Sequence, residues 1–280
     1  MNYREIYDRF CNNCSKTITN LYSTSFSIGI YLLNKKIRQD IYAIYGFVRL
    51  ADEIVDTFHD KDKVKLLNEF KKQTYQAISD GFSLNPILHS FQATVNKYKI
   101  NQDLIEAFFK SMEMDIYMNE YNDKELKQYI YGSAEVVGLM CLAVFTNGHK
   151  KLYEELKDYA IKLGSAFQKV NFLRDLRYDN IVLNRRYFNG LDLKNISQSQ
   201  MQMIIDDIKN ELDFSLKGIK RLPSSAKLGV FVAYLYYKSL LNKIKKTPIE
   251  VFKTKRIRIS NLKKLAIALM AIVKNKIFKM

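Results

Sequence analysis

The stretch YGFVRLADEIVD, Tyr45 to Asp56, decides how this chain is read. Its apolar residues Phe47, Val48, Leu50, Ile54 and Val55 recur at helical spacing, yet Asp52 and Asp56 stand one turn apart among them. Residues i and i+4 of a helix share a face, and like charges there repel and weaken an isolated helix. A chain keeps such a pair when something positive sits between the carboxylates. A hard divalent cation suits, because it takes carboxylate oxygens and leaves positions open for phosphate. Tyr45 and Arg49 lie on the same side of the helix. Asp56 and Asp60 repeat the spacing, but Asp60 falls in the turn sequence HDKDK and drifts off the face.

A second stretch makes the first harder to dismiss. FQKVNFLRDLRYDN, Phe167 to Asn180, sets Gln168, Asn171, Asp175 and Asp179 at steps of three, four and four. That is one polar stripe on a helix whose other side carries Val170, Leu173 and Phe172 or Leu176. Arg174 stands beside it. Either pair alone reads as a solvated helix face. Two such faces turned toward each other would hold four carboxylates around a cavity, where Mg²⁺ bridging to a diphosphate is the natural guest.

Working outward, helical periodicity runs through nearly all of the 280 residues, and three prolines and ten glycines leave no linker. The expectation is an all-α protein with a single domain over residues 1–280. Turn residues bound helices at about 37–58, 64–79, 86–98, 101–118, 123–145, 150–180, 198–220 and 225–246, with two more near 249–253 and 260–278. The segment Tyr129–Phe145 is apolar on nearly every side, which marks a buried helix. Its Gly132 and Gly138 serve either tight helix contact or room for an apolar ligand. YSTSFS, Tyr22–Ser27, offers hydroxyls and Phe26 just before the first acidic helix. The tyrosines at 234, 236 and 237 read as core. The basic stretch KTKRIRIS, Lys253–Ser260, reads on composition as a solvated loop.

Lys and Arg exceed Asp and Glu by 45 − 29 = 16, a surface that attracts polyanions. The charge is spread along the chain with no recognition-helix motif, so no nucleic-acid partner is expected. Cys11 and Cys14 form a lone C-x-x-C, and neither Cys141 nor His59, His89 or His149 completes a zinc spacing. Reduced thiols in a cytoplasmic protein are expected. The N-terminus lacks the apolar core of a signal peptide, and no run is expected to reach the ~20 apolar residues of a membrane span. The final segment NLKKLAIALMAIVKNKIFKM is amphipathic and basic. It reads as a helix closing the bundle or as an in-plane contact at the inner face of the membrane.

RQDIYAIYGFVRLADEIVD (Arg38–Asp56), YIYGSAEVVGLM (Tyr129–Met140) and GSAFQKVNFLRDLRYD (Gly164–Asp179) together resemble the squalene/phytoene synthase family, in order and spacing across roughly residues 20–260. The resemblance implies an isoprenoid synthase fold around a hydrophobic channel and a head-to-head condensation of two prenyl diphosphates. It implies Mg²⁺, with Mn²⁺ as a substitute, held by Asp52, Asp56, Asp175 and Asp179 with Asn171. It places Arg49, Gln168, Asn171 and Arg174 near the diphosphates, and Ser23, Ser25 and Phe26 where hydroxyls meet phosphate and a ring meets the prenyl chain. Tyr45 and Tyr129 match tyrosines set against reacting carbons or phosphate. Val137 matches a channel residue, Tyr237 a late tyrosine and Arg256 a phosphate-side arginine. The likeness is greatest to bacterial phytoene synthases, which join two C20 diphosphates; a C15 user is the alternative. No NADPH is expected: the resemblance is to the non-reductive members, the C-terminal anchor of the reductive ones is not seen, and no G-x-G-x-x-G occurs, although the family binds NADPH without that motif. Three departures stand out: Glu53 replaces a middle aspartate, Tyr178 an acidic residue, and Asn189 a proline. Glu53 points off the shared face and is expected to matter little.

Overall fold

The computed structural model describes residues 2–188 and 197–278, with side chains described as far as residue 273. The Asn189 position, and most of the loop at 188–198, lie outside the described residues.

Polar caps cut the chain into helices. Asn2 and Asn122 each form a capping box, with Glu5 and Glu125, and Asn34, Asp62, Asn85 and Asn101 each accept from a first-turn N–H. In order they are α1 (Tyr3–Tyr22), α2 (Thr24–Tyr31), α3 (Lys35–Asp56), α4 (Lys63–Asp80), α5 (Pro86–Tyr98), α6 (Gln102–Tyr117) and α7 (Asp123–Ile130). A π turn (Tyr131–Glu135) follows, then α8 (Val136–Phe145), α9 (Lys150–Ile181), α10 (Gln198–Arg221), α11 (Ser224–Lys245), α12 (Ile249–Phe252) and α13 (Asn261–Phe278). No β-strand occurs among the described residues; one isolated bridge pairs Glu120 with Arg186.

α3 has two working faces. One buries Ile44, Phe47, Ala51, Ile54 and Val55. Phe47 stacks on Phe91 with ring centroids 3.8 Å apart, and Phe70, Phe108 and Phe109 close around them. Pairs of this kind add about 0.5–1.5 kcal/mol beyond area burial. The other face carries Tyr45, Arg49 and Asp52 toward a cavity. A second apolar cluster joins α9, α10 and α11 through Val170, Leu173, Leu212 and Tyr234. The cavity lies between the two clusters.

Two helices were not anticipated. α1 buries only Cys11, Ser15 and Thr19, a small-residue face on which Gly46 of α3 rests. A Cβ on Gly46 would lie 3.2 Å from Ser15 Cβ, so backbone approach rather than apolar area makes the contact. Hydropathy carries no trace of such a seam. α2 is set off by Ser23, whose Oγ accepts from Phe26 N–H and caps its first turn.

The segment read as one helix over 123–145 is broken by the π turn. This whole helix, Asp123–Phe145, is in fact long and apolar enough to cross a membrane, contrary to the expectation for the chain. In the fold it packs against α3, α6 and α9. Gly132 and Gly138 both serve close contact: a Cβ on Gly132 would sit 2.3 Å from the Ala107 carbonyl oxygen, and one on Gly138 3.0 Å from that of Ala160.

Candidate active site

The cavity encloses about 770 Å³. Its interior wall is apolar, drawn from Leu33, Ile44, Val137, Leu142, Phe145, Leu163 and Val230 among others. Ser23, Ser25, Arg49, Asp52, Gln168, Asn171, Arg174, Arg256, Arg258 and Lys264 also line it and supply its polar and charged part. A dry compartment with charged groups gathered on part of its lining suits an amphiphile with a long apolar tail.

Four rings form one aromatic wall. Phe167 stacks on Tyr237 at 3.8 Å, and Phe26 lies 5.7 Å from Tyr45 and 6.0 Å from Tyr237. Tyr237 donates to Asn171 Oδ1 at 3.2 Å, and Asn171 Nδ2 donates to Gln168 Oε1 at 3.4 Å, so the polar stripe of α9 is wired to α11. Burial pushes the Tyr45 phenol up to about 12, with Asp52 adding to the rise. These phenols are neutral and present π faces suited to a cation.

The acidic pairs sit in different surroundings. Asp52 is pushed up to about 8, first by burial and then by the charge of Asp56; Arg49, 3.9 Å away, offsets part of this. Asp179 is likewise pushed up to about 8, by burial, Asp175 and Asp56 in that order. Asp175 moves the other way. Arg174 and Arg256 both grip it, with Arg174 Nε 3.0 Å from Oδ1 and Arg256 Nη2 3.0 Å from Oδ2, and these contacts outweigh its burial. Asp52 lines the cavity, and Asp175 is held by Arg174 and Arg256, which line it too.

The two acidic helices bring their pairs near enough for the charge of Asp56 to act on Asp179. Among the described residues no three acidic, histidine or cysteine side chains lie close enough to hold an ion alone. The donor set still fits hard cations. Each pair offers carboxylate oxygens, and Asp52 and Asp179 carry unfavourable charge that a cation would relieve. Each helix supplies only part of a coordination shell.

KTKRIRIS is solvated at Lys255, Arg256 and Arg258, as expected, but it is not a free loop. Ile257 and Ile259 are buried in the α9–α11 cluster, which anchors the strand-like segment and turns Arg256 and Arg258 to the cavity. Glu53 also departs from expectation. It points off the cavity side, but it is buried and its carboxylate accepts from Arg49 Nη2. Arg49 is further held over the Tyr22 ring at 4.1 Å.

Tyr129 reaches the cavity lining, and its hydroxyl donates to Asp115 Oδ2 at 2.9 Å. Asp115 belongs to a buried network that the sequence did not reveal. Arg185 Nη1 lies 2.7 Å from Asp56 and 3.3 Å from Asp115, and its Nη2 donates to the Asp115 carbonyl at 2.8 Å. A left-handed residue at Asn184 and the Arg186 N–H bond to the Asn119 carbonyl send Arg185 back to α6. Tyr121, Tyr129 and Tyr187 stack around it at 5.1–5.3 Å. Asp115 is one of four acidic residues in α6, beside Asp103, Glu106 and Glu113, so nothing in the sequence singled it out.

An all-helical fold enclosing an apolar cavity, with D-x-x-x-D pairs on two of its helices, defines a prenyltransferase of isoprenoid synthase architecture. The sequence profile of squalene/phytoene synthase matches residues 19–263, and the chain belongs to that family. It is similar to the phytoene synthase of Arthrospira platensis, 27% identical over 264 residues, 85% of this chain and 84% of that one. It is also similar to the 4,4'-diapophytoene synthase of Staphylococcus haemolyticus, 23% identical over 85% of this chain and 87% of that one. Among solved structures, a dehydrosqualene synthase in complex with ligand superposes with TM-score 0.80 at 20% identity, covering 96% and 98% of the two chains. A squalene synthase from Alicyclobacillus acidocaldarius gives 0.74 at 17%, over 86% and 95%. At these identities the structural likeness speaks to fold.

Proposed function

We propose that this chain joins two C20 prenyl diphosphates head to head into the C40 hydrocarbon phytoene. The observation that carries the reading is a cavity of about 770 Å³ whose lining joins many apolar side chains to Arg49, Asp52, Arg174 and Arg256. Diphosphate leaves the donor as an allylic cation forms. The acceptor's double bond attacks that cation, a proton is lost, and a cyclopropylcarbinyl diphosphate results. Loss of the second diphosphate, rearrangement and loss of another proton give the product, and no reductant is consumed. Relatives named phytoene synthase support the C20 choice.

The chain's own residues do most of what this requires. Arg174 and Arg256, now on Asp175, and Arg49 meet the diphosphates with charge-assisted hydrogen bonds, joined by the Ser23 and Ser25 hydroxyls and Gln168. Phe26, Tyr45, Phe167 and Tyr237 turn ring faces to the migrating positive charge. Val137 and the apolar wall keep water from quenching it. Tyr129 stands at the end of the Asp115–Arg185 network and fixes the wall beside Asp56. Asp52 with Asp56, and Asp175 with Asp179 and Asn171, would hold Mg²⁺ or Mn²⁺. When bound, such ions act as Lewis acids on the departing diphosphate.

A C15 substrate is the second reading, favoured by the similarity to a 4,4'-diapophytoene synthase. The test supplies C15 and C20 diphosphates separately with Mg²⁺, with and without NADPH, and weighs the products by mass spectrometry. A C40 product from the C20 substrate, unchanged by NADPH, is expected. A C30 product alone would select the second reading, and no hydrocarbon from either would overturn both.

A further inference from the structure

α13 presents two apolar faces. One, through Ile267, Ala268 and Ala271, is buried on Val232 and Tyr236 of α11 and is flanked by Ile28 and Leu32. The other carries Leu262, Leu265, Leu269, Met270 and Val273, spaced three, four, one and three apart, and it is uncovered: Leu262 is 82% exposed, Leu265 54%, Leu269 55% and Val273 53%. A helix that closes a bundle has a polar outer face. Here the outer face is a stripe of large side chains, so closing the bundle accounts for only half of the helix.

Charge says what covers the stripe. From Lys253 to the end the sequence carries nine Lys and Arg and no Asp or Glu. Lys255 is exposed, and so is Lys263 on the first turn of α13 beside Leu262. A second copy would bring the same cations against themselves, whereas an anionic bilayer neutralises them. The stripe also adjoins the cavity: Asn261 and Lys264 from the start of α13 line it, together with exposed Leu21 and Tyr22 of α1. Lys264 Nζ reaches Thr24 Oγ1 at 2.5 Å and ties α13 to that rim.

We propose that the outer face of α13 docks in the plane of an anionic membrane surface, with the adjoining cavity rim against the lipid. Leucine side chains enter the headgroup–acyl boundary while the flanking lysines and arginines meet lipid phosphates. Docking requires no assumption about the reaction, although an insoluble hydrocarbon product would leave the cavity beside lipid.

The experiment floats the full chain with vesicles of phosphatidylcholine alone or mixed with phosphatidylglycerol, at low and high salt. The wild type is expected to float with the mixed vesicles at low salt and to be released by salt. Leu265→Glu/Leu269→Glu is expected to lower partitioning by about tenfold or more with an unchanged melting temperature, since neither side chain packs inside the fold. Lys255→Gln/Lys263→Gln, which leaves the leucines in place, is expected to weaken binding to the mixed vesicles only. Failure of the wild type to float with either vesicle, or flotation of the double glutamate variant at the wild-type level, overturns the proposal. So does a dimer in sedimentation that the glutamate variant splits, which would make a second copy the occupant.

Discussion

Arg185→Met tests whether the buried network holds the site together. Arg185 is 4% exposed and is shared by Asp56 and Asp115, themselves separated from it by 129 and 70 residues of chain. Removing the guanidinium deletes two ion pairs and a charge-assisted bond to the Asp115 carbonyl, and it leaves Asp115, 8% exposed, without a cation. Orphaning one partner of a buried pair costs about 3–5 kcal/mol. For a chain of this size that is roughly a 10 °C fall in melting temperature. The loss has a sign in pH. Burial already pushes Asp115 up to about 7 with Arg185 opposing it, and without Arg185 it moves higher still. A carboxyl whose folded value lies above its unfolded one stabilises most below the unfolded value, and that contribution is lost as pH rises through the folded one. The variant is therefore expected to be hurt far more at pH 8 than at pH 5. Arg185→Met/Asp115→Asn is expected to recover part of the loss at pH 8, because the amide needs no counter-charge and still accepts from Tyr129. Thermal unfolding by circular dichroism of the wild type and both variants at both pH values is the assay. A loss under about 1 kcal/mol, or one equal at pH 5 and pH 8 and untouched by Asp115→Asn, would refute the reasoning.

Asp52→Asn and Asp175→Asn are each expected to abolish product formation while the circular dichroism spectrum stays wild-type; retained turnover in both would contradict the assignment of the acidic pairs. Glu135, in the π turn, is pushed up to about 7 by burial, with Lys162 opposing and Glu211 adding. Its folded value lies above its unfolded one, so Glu135→Gln is expected to stabilise at pH 8 by roughly 1 kcal/mol after screening and to have no such effect at pH 5, as read by urea titration. Gly132→Ala places a methyl against the Ala107 carbonyl oxygen and Ser111 and is expected to cost about 1–3 kcal/mol in the same titration.

The parts of this site legible from sequence share one property: each is local. D-x-x-x-D is a statement about one helix face, and periodicity places that face on the same side as Tyr45 or Gln168 without reference to anything distant. Helices α3 to α11 follow from the same rule, with boundaries set by Asn, Asp and Pro caps. What failed was what distance alone decides. α1 seats against α3 through Ser15 and Gly46, residues chosen for smallness, so its burial leaves no hydropathy signal. How near the two acidic pairs come is a tertiary fact, since spacing within a helix fixes direction and not the gap across a cavity. Asp115 and Arg185 look unremarkable apart; only the turn at Asn184, which sends the chain after α9 back onto α6, makes them one buried unit. The same holds for Arg256. Its basic surroundings read as a free loop until buried Ile257 and Ile259 fix the segment, because alternation of apolar and cationic residues over so few positions says that one side is covered but not by what. A charged side chain is given its role by the group it meets, and for Asp115, Arg185 and Arg256 that group lies far along the chain.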